Sequence, residues 1–162
     1  MIKPKPKKNY VDNKRFYEEI KKYKAEYDRV AEQRRATDSI SRLAGKDIDH
    51  SHILFPRIPE YIGECIKLIS TGLSSKPNFS SYTFKEEMVG DAILDCIKYA
   101  HNFNPEKSDK PFAYFTMICW RAFQRRITKE KKVRQTKIDM IKNHGVLEDM
   151  CFNVGDGDDS VY

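Results

Sequence analysis

From Asp12, a residue type suited to capping a helix, apolar side chains recur at Phe16, Ile20, Tyr23, Tyr27 and Val30. Alternating steps of four and three keep all five on one face, and the pattern predicts a helix to about Arg35. Residues 36–57 lose the period and carry Gly45, Pro56 and many polar groups, which predicts a loop or short irregular insertion. Pro59 is placed to open a second helix, running to about Ser70 with Gly72 as its stop. Its apolar stripe is Tyr61, Ile62, Cys65, Ile66 and Ile69. The stretch "SSKPNFSS" reads as a linker. Thr83 and Glu86 then have the spacing of a capping box, and the helix they begin runs to about Ala100. After a polar loop, Pro111 opens a fourth, strong helix that extends to about Lys142, with Asn143 to Gly145 as its stop. No run alternates as a strand would, so the expected fold class is all-α.

Composition adds size and charge to this outline. A chain of 162 residues, 40% hydrophobic and 12% aromatic, can bury one core and carry a smaller appendage. The net charge of +6 biases the surface toward polyanions. Residues 1–9 hold four lysines and two prolines and read as a disordered basic arm, with no apolar run after them to form a signal peptide. The expected division is that arm, a helix with an irregular loop over 10–57, a helical domain over 58–142, and a flexible acidic tail over 143–162. Cys65, Cys96, Cys119 and Cys151 lie 31, 23 and 32 residues apart. That spacing makes no zinc clasp or redox motif, so they read as small buried residues in a reducing compartment. No apolar stretch reaches membrane-spanning length, and the expectation is a soluble intracellular protein.

Candidate chemistry is confined to two helix faces. "KDIDHSH" places Asp47, Asp49, His50 and His52 in a loop, but not at a ligand spacing that would hold a metal. No phosphate loop, nucleophile elbow or paired helical histidines occur; neither a catalytic residue nor a cofactor is expected. In the helix after Phe84, the apolar sector is Met88, Val89, Ala92, Ile93, Cys96, Ile97, Tyr99 and Ala100. Glu87, Asp91 and Asp95, four residues apart, line the opposite strip with Lys98. An ordinary solvated face explains such a strip, and so does a basic partner surface. In the helix after Pro111, Phe112, Phe115, Cys119, Ala122 and Phe123 can pack inward, while Arg121, Arg125, Thr128 and Lys132 share an outer stripe. Eight basic residues and one acid, Glu130, fall between Arg121 and Lys137. Cations at that density suit phosphates, and Tyr114 and Trp120 at the stripe's edge suit unstacked bases.

The stretch "EEMVGDAILDCIKYAHNFNPEKSDKPFAYFTMICWRAFQRRI" resembles the second conserved region of bacterial RNA polymerase sigma factors. In that family an acid-rich helix leads through a loop of the "KFDP-x-K-G" kind into an aromatic helix followed by arginines. Here Asn102 to Lys107 stand for the loop and Phe112 to Arg126 for the aromatic helix. With "NYVDNK" and "NFSSYTFKEEM" added, the chain is similar to the small late-promoter sigma factors of T-even-type bacteriophages. The resemblance implies a small helical bundle with disordered termini, working in the cytoplasm of an infected bacterial cell.

It also implies partners. The acidic helix would dock on the β′ coiled coil of RNA polymerase core through Glu87, Asp91, Asp95 and Ile97. Promoter DNA would meet Tyr114, Phe115, Trp120, Arg121, Gln124, Arg125, Arg126, Lys129 and Lys132, with Phe115 at the base-capturing aromatic position. Ile118 and Cys119 replace the tryptophan pair of the primary factors, and Trp120 is shifted by one place. A sliding clamp would be met by Val146 to Phe152 or by Ser160 to Tyr162. Outside this resemblance, two readings stay open: a polymerase-binding adaptor, and a helical nucleic-acid-binding protein without promoter choice.

Overall fold

Helix α1, Asn13–Ala44, starts where Asp12 Oδ1 accepts the backbone N–H of Lys14 at 3.0 Å and of Arg15 at 3.2 Å. In this computed structural model, residues 11–45 and 53–152 are described, without the side chains of 144–152. The basic arm over 1–9, the Asp47–His52 cluster and the segment 153–162 lie outside the described residues. The remaining elements are α2 (Glu60–Ser74), α3 (Pro77–Ser80), α4 (Lys85–Tyr99), a 3₁₀ turn (Ala100–Asn102) and α5 (Pro111–Phe152). The fold is all-α, and no strand occurs among the described residues. No helix is long and apolar enough to cross a membrane among those residues.

Several boundaries differ from the pattern's expectation. α1 continues nine residues past Arg35, to Ala44, and stops at Gly45, whose φ of 60° is left-handed. Losing apolar periodicity removes burial from this stretch but not helix propensity, and the first true breaker is Gly45. Its N–H bonds back to the Ser41 carbonyl. Gly72 does not end α2; the helix passes through it to Ser74 because one glycine costs only about 1 kcal/mol. "SSKPNFSS" is no plain linker: Pro77 starts the one-turn α3, anchored by the buried ring of Phe79. The Thr83–Glu86 capping box does not form, since the cap falls at Phe84 and no side chain bonds there. α5 runs through Asn143–Gly145 to Phe152 rather than stopping near Lys142.

The chain divides into two compact units, Met1–Phe123 and Gln124–Tyr162. In the first, α1 contributes Phe16, Ile20 and Tyr23 to the core, and α2 contributes Ile62, Cys65, Ile66 and Ile69. Met88, Ala92 and Cys96 enter from α4, and Phe115, Cys119, Ala122 and Phe123 from α5. Phe16 meets Phe115 with ring centroids 5.4 Å apart, and Phe79 meets Phe123 edge-on at 5.0 Å. Such tilted and edge-to-face contacts are the favoured aromatic geometries.

Beyond its buried turns α1 is steadied by the returning chain. Tyr27 stacks between Phe55, at 4.6 Å, and His101, at 4.5 Å. Arg34 lies 4.5 Å over the Phe55 ring and donates through Nε to the Ile53 carbonyl at 2.9 Å. In the second unit Lys131–Asn143 of α5 are exposed throughout.

Gly72 is exposed in a helix interior, and a Cβ there would meet nothing within 4 Å. Gly72→Ala should therefore raise the free energy of unfolding by about 0.5–1 kcal/mol, read by urea denaturation.

Candidate functional site

Burial of Met88, Ala92 and Cys96, at steps of four, decides which side of α4 faces water. The centre of that outer side is Glu87, Gly90, Leu94 and Ile97, all exposed. Asp91 and Asp95 are half-buried on one flank, so the expected acidic strip is displaced from the middle. Leu94 is 67% exposed and Ile97 45% exposed. Glu87 and Ile97 thus both belong to the outer surface, Ile97 although the apolar pattern placed it in the sector opposite the acids. Leu94 is the residue the pattern missed. The signal was its position seven residues after Glu87, which sets an apolar side chain on the same line as the acid. This face combines an apolar centre with a carboxylate border.

α5 is oriented in the first unit by Pro111, Phe115, Cys119, Ala122 and Phe123, which are all buried. The Phe115 ring is 0% exposed, packed on Phe16 and edge-on to Tyr114 at 5.2 Å. It forms core, so the expectation that it captures a base from the surface is corrected. Its place in the buried stripe is the physical reason: the spacing to Cys119 and Phe123 carries it inward.

Tyr114 is half-buried, with its hydroxyl donating to the Tyr99 carbonyl at 2.9 Å and its ring edge-on to Phe103. Desolvation by burial pushes its phenol above the ordinary tyrosine range. Trp120 is 38% exposed and stands edge-on to Phe79 at 4.9 Å, so it lies on the α3 flank.

Between the loop after the 3₁₀ turn and the first turns of α5 lies an open groove of about 540 Å³. Phe103, Tyr114, Met117 and Ile118 give it an apolar floor. Lys107, Lys110 and Arg121 stand at the same groove, and none of its lining residues is acidic. Met117 is 55% exposed and was not singled out by the sequence pattern. The loop is held in shape from within and from α1: Asn104 Oδ1 accepts the Glu106 N–H at 2.8 Å, and Tyr17 donates its hydroxyl to the Pro105 carbonyl at 3.2 Å. A flat apolar group carrying negative charge matches that lining. Of the expected nucleic-acid residues in this unit, the groove gathers Tyr114 and Arg121 and excludes Phe115 and Trp120.

In the second unit, Gln124, Arg125, Lys129 and Lys132 share one side of α5, lining a shallow cleft of about 530 Å³ with Thr128 and Val133. Arg126 points elsewhere and pairs with Glu130 at 3.4 Å. The two segments expected to meet a sliding clamp, Val146 to Phe152 and Ser160 to Tyr162, have side chains outside the described residues. No group of three metal-binding side chains occurs among the described residues. Comparison of the sequence with models of known protein families and with curated proteins returns no match.

The burial of Phe115 has a measurable consequence. Phe115→Ala should lower unfolding free energy by about 3–5 kcal/mol in denaturant melts, as a large cavity in a packed core does. Tyr114→Phe, which removes only the hydroxyl bonded to Tyr99, should cost about 1 kcal/mol.

Proposed function

We propose that the chain is a sigma-type transcription initiation subunit of the T-even late class. It binds bacterial RNA polymerase core through α4 and holds an unstacked base of an A·T-rich promoter element in the groove beside α5. The observation that carries the reading is the groove itself: an apolar floor of Tyr114, Met117 and Ile118 edged by three cations and no acid. A base offers a flat apolar face and a phosphate on either side, so one such pocket engages both. Stacking returns about 1–3 kcal/mol per base, against the few kcal/mol of unpairing it. The chain alone would therefore open duplex poorly, and anchoring on polymerase supplies the high local concentration that makes opening productive.

On α4 the exposed Leu94 and Ile97 support the anchoring half of the reading. A buried apolar centre contributes affinity, while bordering carboxylates choose a basic partner such as a coiled-coil surface. Gln124, Arg125, Lys129 and Lys132 would add sequence-independent phosphate contacts. The role that the family position would give to Phe115 passes, in this chain, to the groove residues.

The adaptor reading draws on the same α4 face and needs no groove. Run-off transcription with purified core polymerase, on a template whose only promoter feature is an A·T-rich −10-like box, separates the two. A transcript appearing only when this protein is present supports the sigma reading; polymerase binding without a transcript leaves the adaptor. The Leu94→Ala, Ile97→Ala double variant should weaken binding to core polymerase at least tenfold, in a pull-down or interferometry titration, under either reading. Replacing Lys107, Lys110 and Arg121 by alanine should leave that affinity unchanged. On single-stranded promoter DNA the same triple change should flatten the log–log salt dependence by about 2, as expected for three lost phosphate contacts.

A further inference from the structure

Two thiols that neither proposed surface uses meet in the core of the first unit. Cys96 reaches in from α4 and Cys119 from α5, with their Sγ atoms 3.5 Å apart and both side chains 0% exposed. Around them the polar partners are few. Ser70 Oγ of α2 is 3.3 Å from Cys119 Sγ and also donates to the Ile66 carbonyl at 2.9 Å. Cys96 Sγ faces the Phe115 carbonyl at 3.8 Å. The third described cysteine, Cys65, is buried on α2 beside the Tyr61 hydroxyl.

We infer that Cys96 and Cys119 are a dithiol pair that hydrogen peroxide converts into a disulfide stapling α4 to α5. The two sulfurs are already in contact, so bringing them to the bonded distance of about 2.05 Å closes a gap of about 1.5 Å. No other described thiol is recorded against either. The contact with Cys119 and burial push the Cys96 thiol up, and its Sγ is turned to the Phe115 carbonyl, which accepts its proton; the contacts with Cys96 and then Ser70 draw Cys119 down against its burial. Cys119 is therefore the attacking sulfur.

The chemistry balances. The Cys119 thiolate attacks one peroxide oxygen, the O–O bond breaks, and hydroxide leaves to become water on taking up a proton. That makes a sulfenic acid on Cys119. Cys96 sulfur then attacks Cys119 sulfur, the S–O bond breaks, and the departing hydroxide leaves with the Cys96 proton as a second water. Two electrons pass from the sulfurs to the peroxide. Complete burial selects the oxidant: a molecule near the size of water can enter a breathing core, whereas glutathione disulfide cannot. The product closes a loop between positions 23 apart in the chain and restrains the unfolded chain.

The test uses the full chain, folded and reduced, treated with hydrogen peroxide or with glutathione disulfide, then unfolded, alkylated and mapped by peptide mass. With peroxide, a cross-linked pair of peptides containing Cys96 and Cys119 should appear, 2 Da lighter than their sum, while Cys65 stays alkylated. The unfolding midpoint should rise by about 10 °C and fall back on adding dithiothreitol. Glutathione disulfide should leave both thiols free. C96S should stop at a dimedone-reactive sulfenic acid on Cys119, and C119S should give no adduct at either position. Met117 and Met140, 55% and 60% exposed, report the oxidant dose within the same map. Cys96 and Cys119 both still alkylated once those methionines are fully oxidised would overturn the inference. So would a cross-link through Cys65, or one that forms only in urea, and these outcomes need no variant to fold.

Discussion

The contact between Phe16 and Phe115 ties the first turn of α1 to the start of α5, and much of the molecule's surface follows from it. A helix has one rotational freedom about its axis, and a buried stripe removes it. Phe115, with Cys119, Ala122 and Phe123, fixes that rotation for α5. Tyr114, Met117, Ile118 and Arg121 are then carried to the groove, and Trp120 to Phe79 on another flank. Had a neighbouring position taken the core place of Phe115, each later side chain would have turned by about 100°. The groove would then have had a different floor.

The same constraint operates on α4. Met88, Ala92 and Cys96 go inward, which obliges Leu94 and Ile97 to stay in water. Exposed apolar area of this kind costs roughly 25 cal/mol per Å² until something covers it. A lone exposed leucine would mean little. Leu94 and Ile97 together on one helix face, bordered by Glu87, Asp91 and Asp95, make a surface with both an affinity component and a charge preference. On that basis the two faces have complementary chemistry: α4 suits a protein with basic groups, and the groove suits a polyanion with flat apolar parts.

α1 illustrates how length and burial separate. Its early turns are core, its middle is clasped by the Arg34–Phe55–Tyr27–His101 stack, and its last turns carry Ile40 and Leu43 at 58% and 89% exposure. Helix persists there because every residue up to Gly45 tolerates it, while nothing in the periodicity asks for packing.

The all-α class, the cap at Asp12, the start of α5 at Pro111 and most of the buried stripes could be read from the sequence. Each is set by residues within a few positions of one another. Phe16, Ile20 and Tyr23, or Ile62, Cys65, Ile66 and Ile69, repeat with the helical period and need no distant partner to be recognised. What the sequence left open were quantities fixed across distance. Whether Phe115 faced a ligand or Phe16, and whether Trp120 stood beside Tyr114 or Phe79, both depended on neighbours far along the chain. Periodicity states that a helix has an inside; only the elements packed around it decide which residues at the edge of that inside are covered. Leu94 and Met117 belong to the surface, and Phe115 to the core, because of how α1, α2 and the 102–110 loop close around α4 and α5.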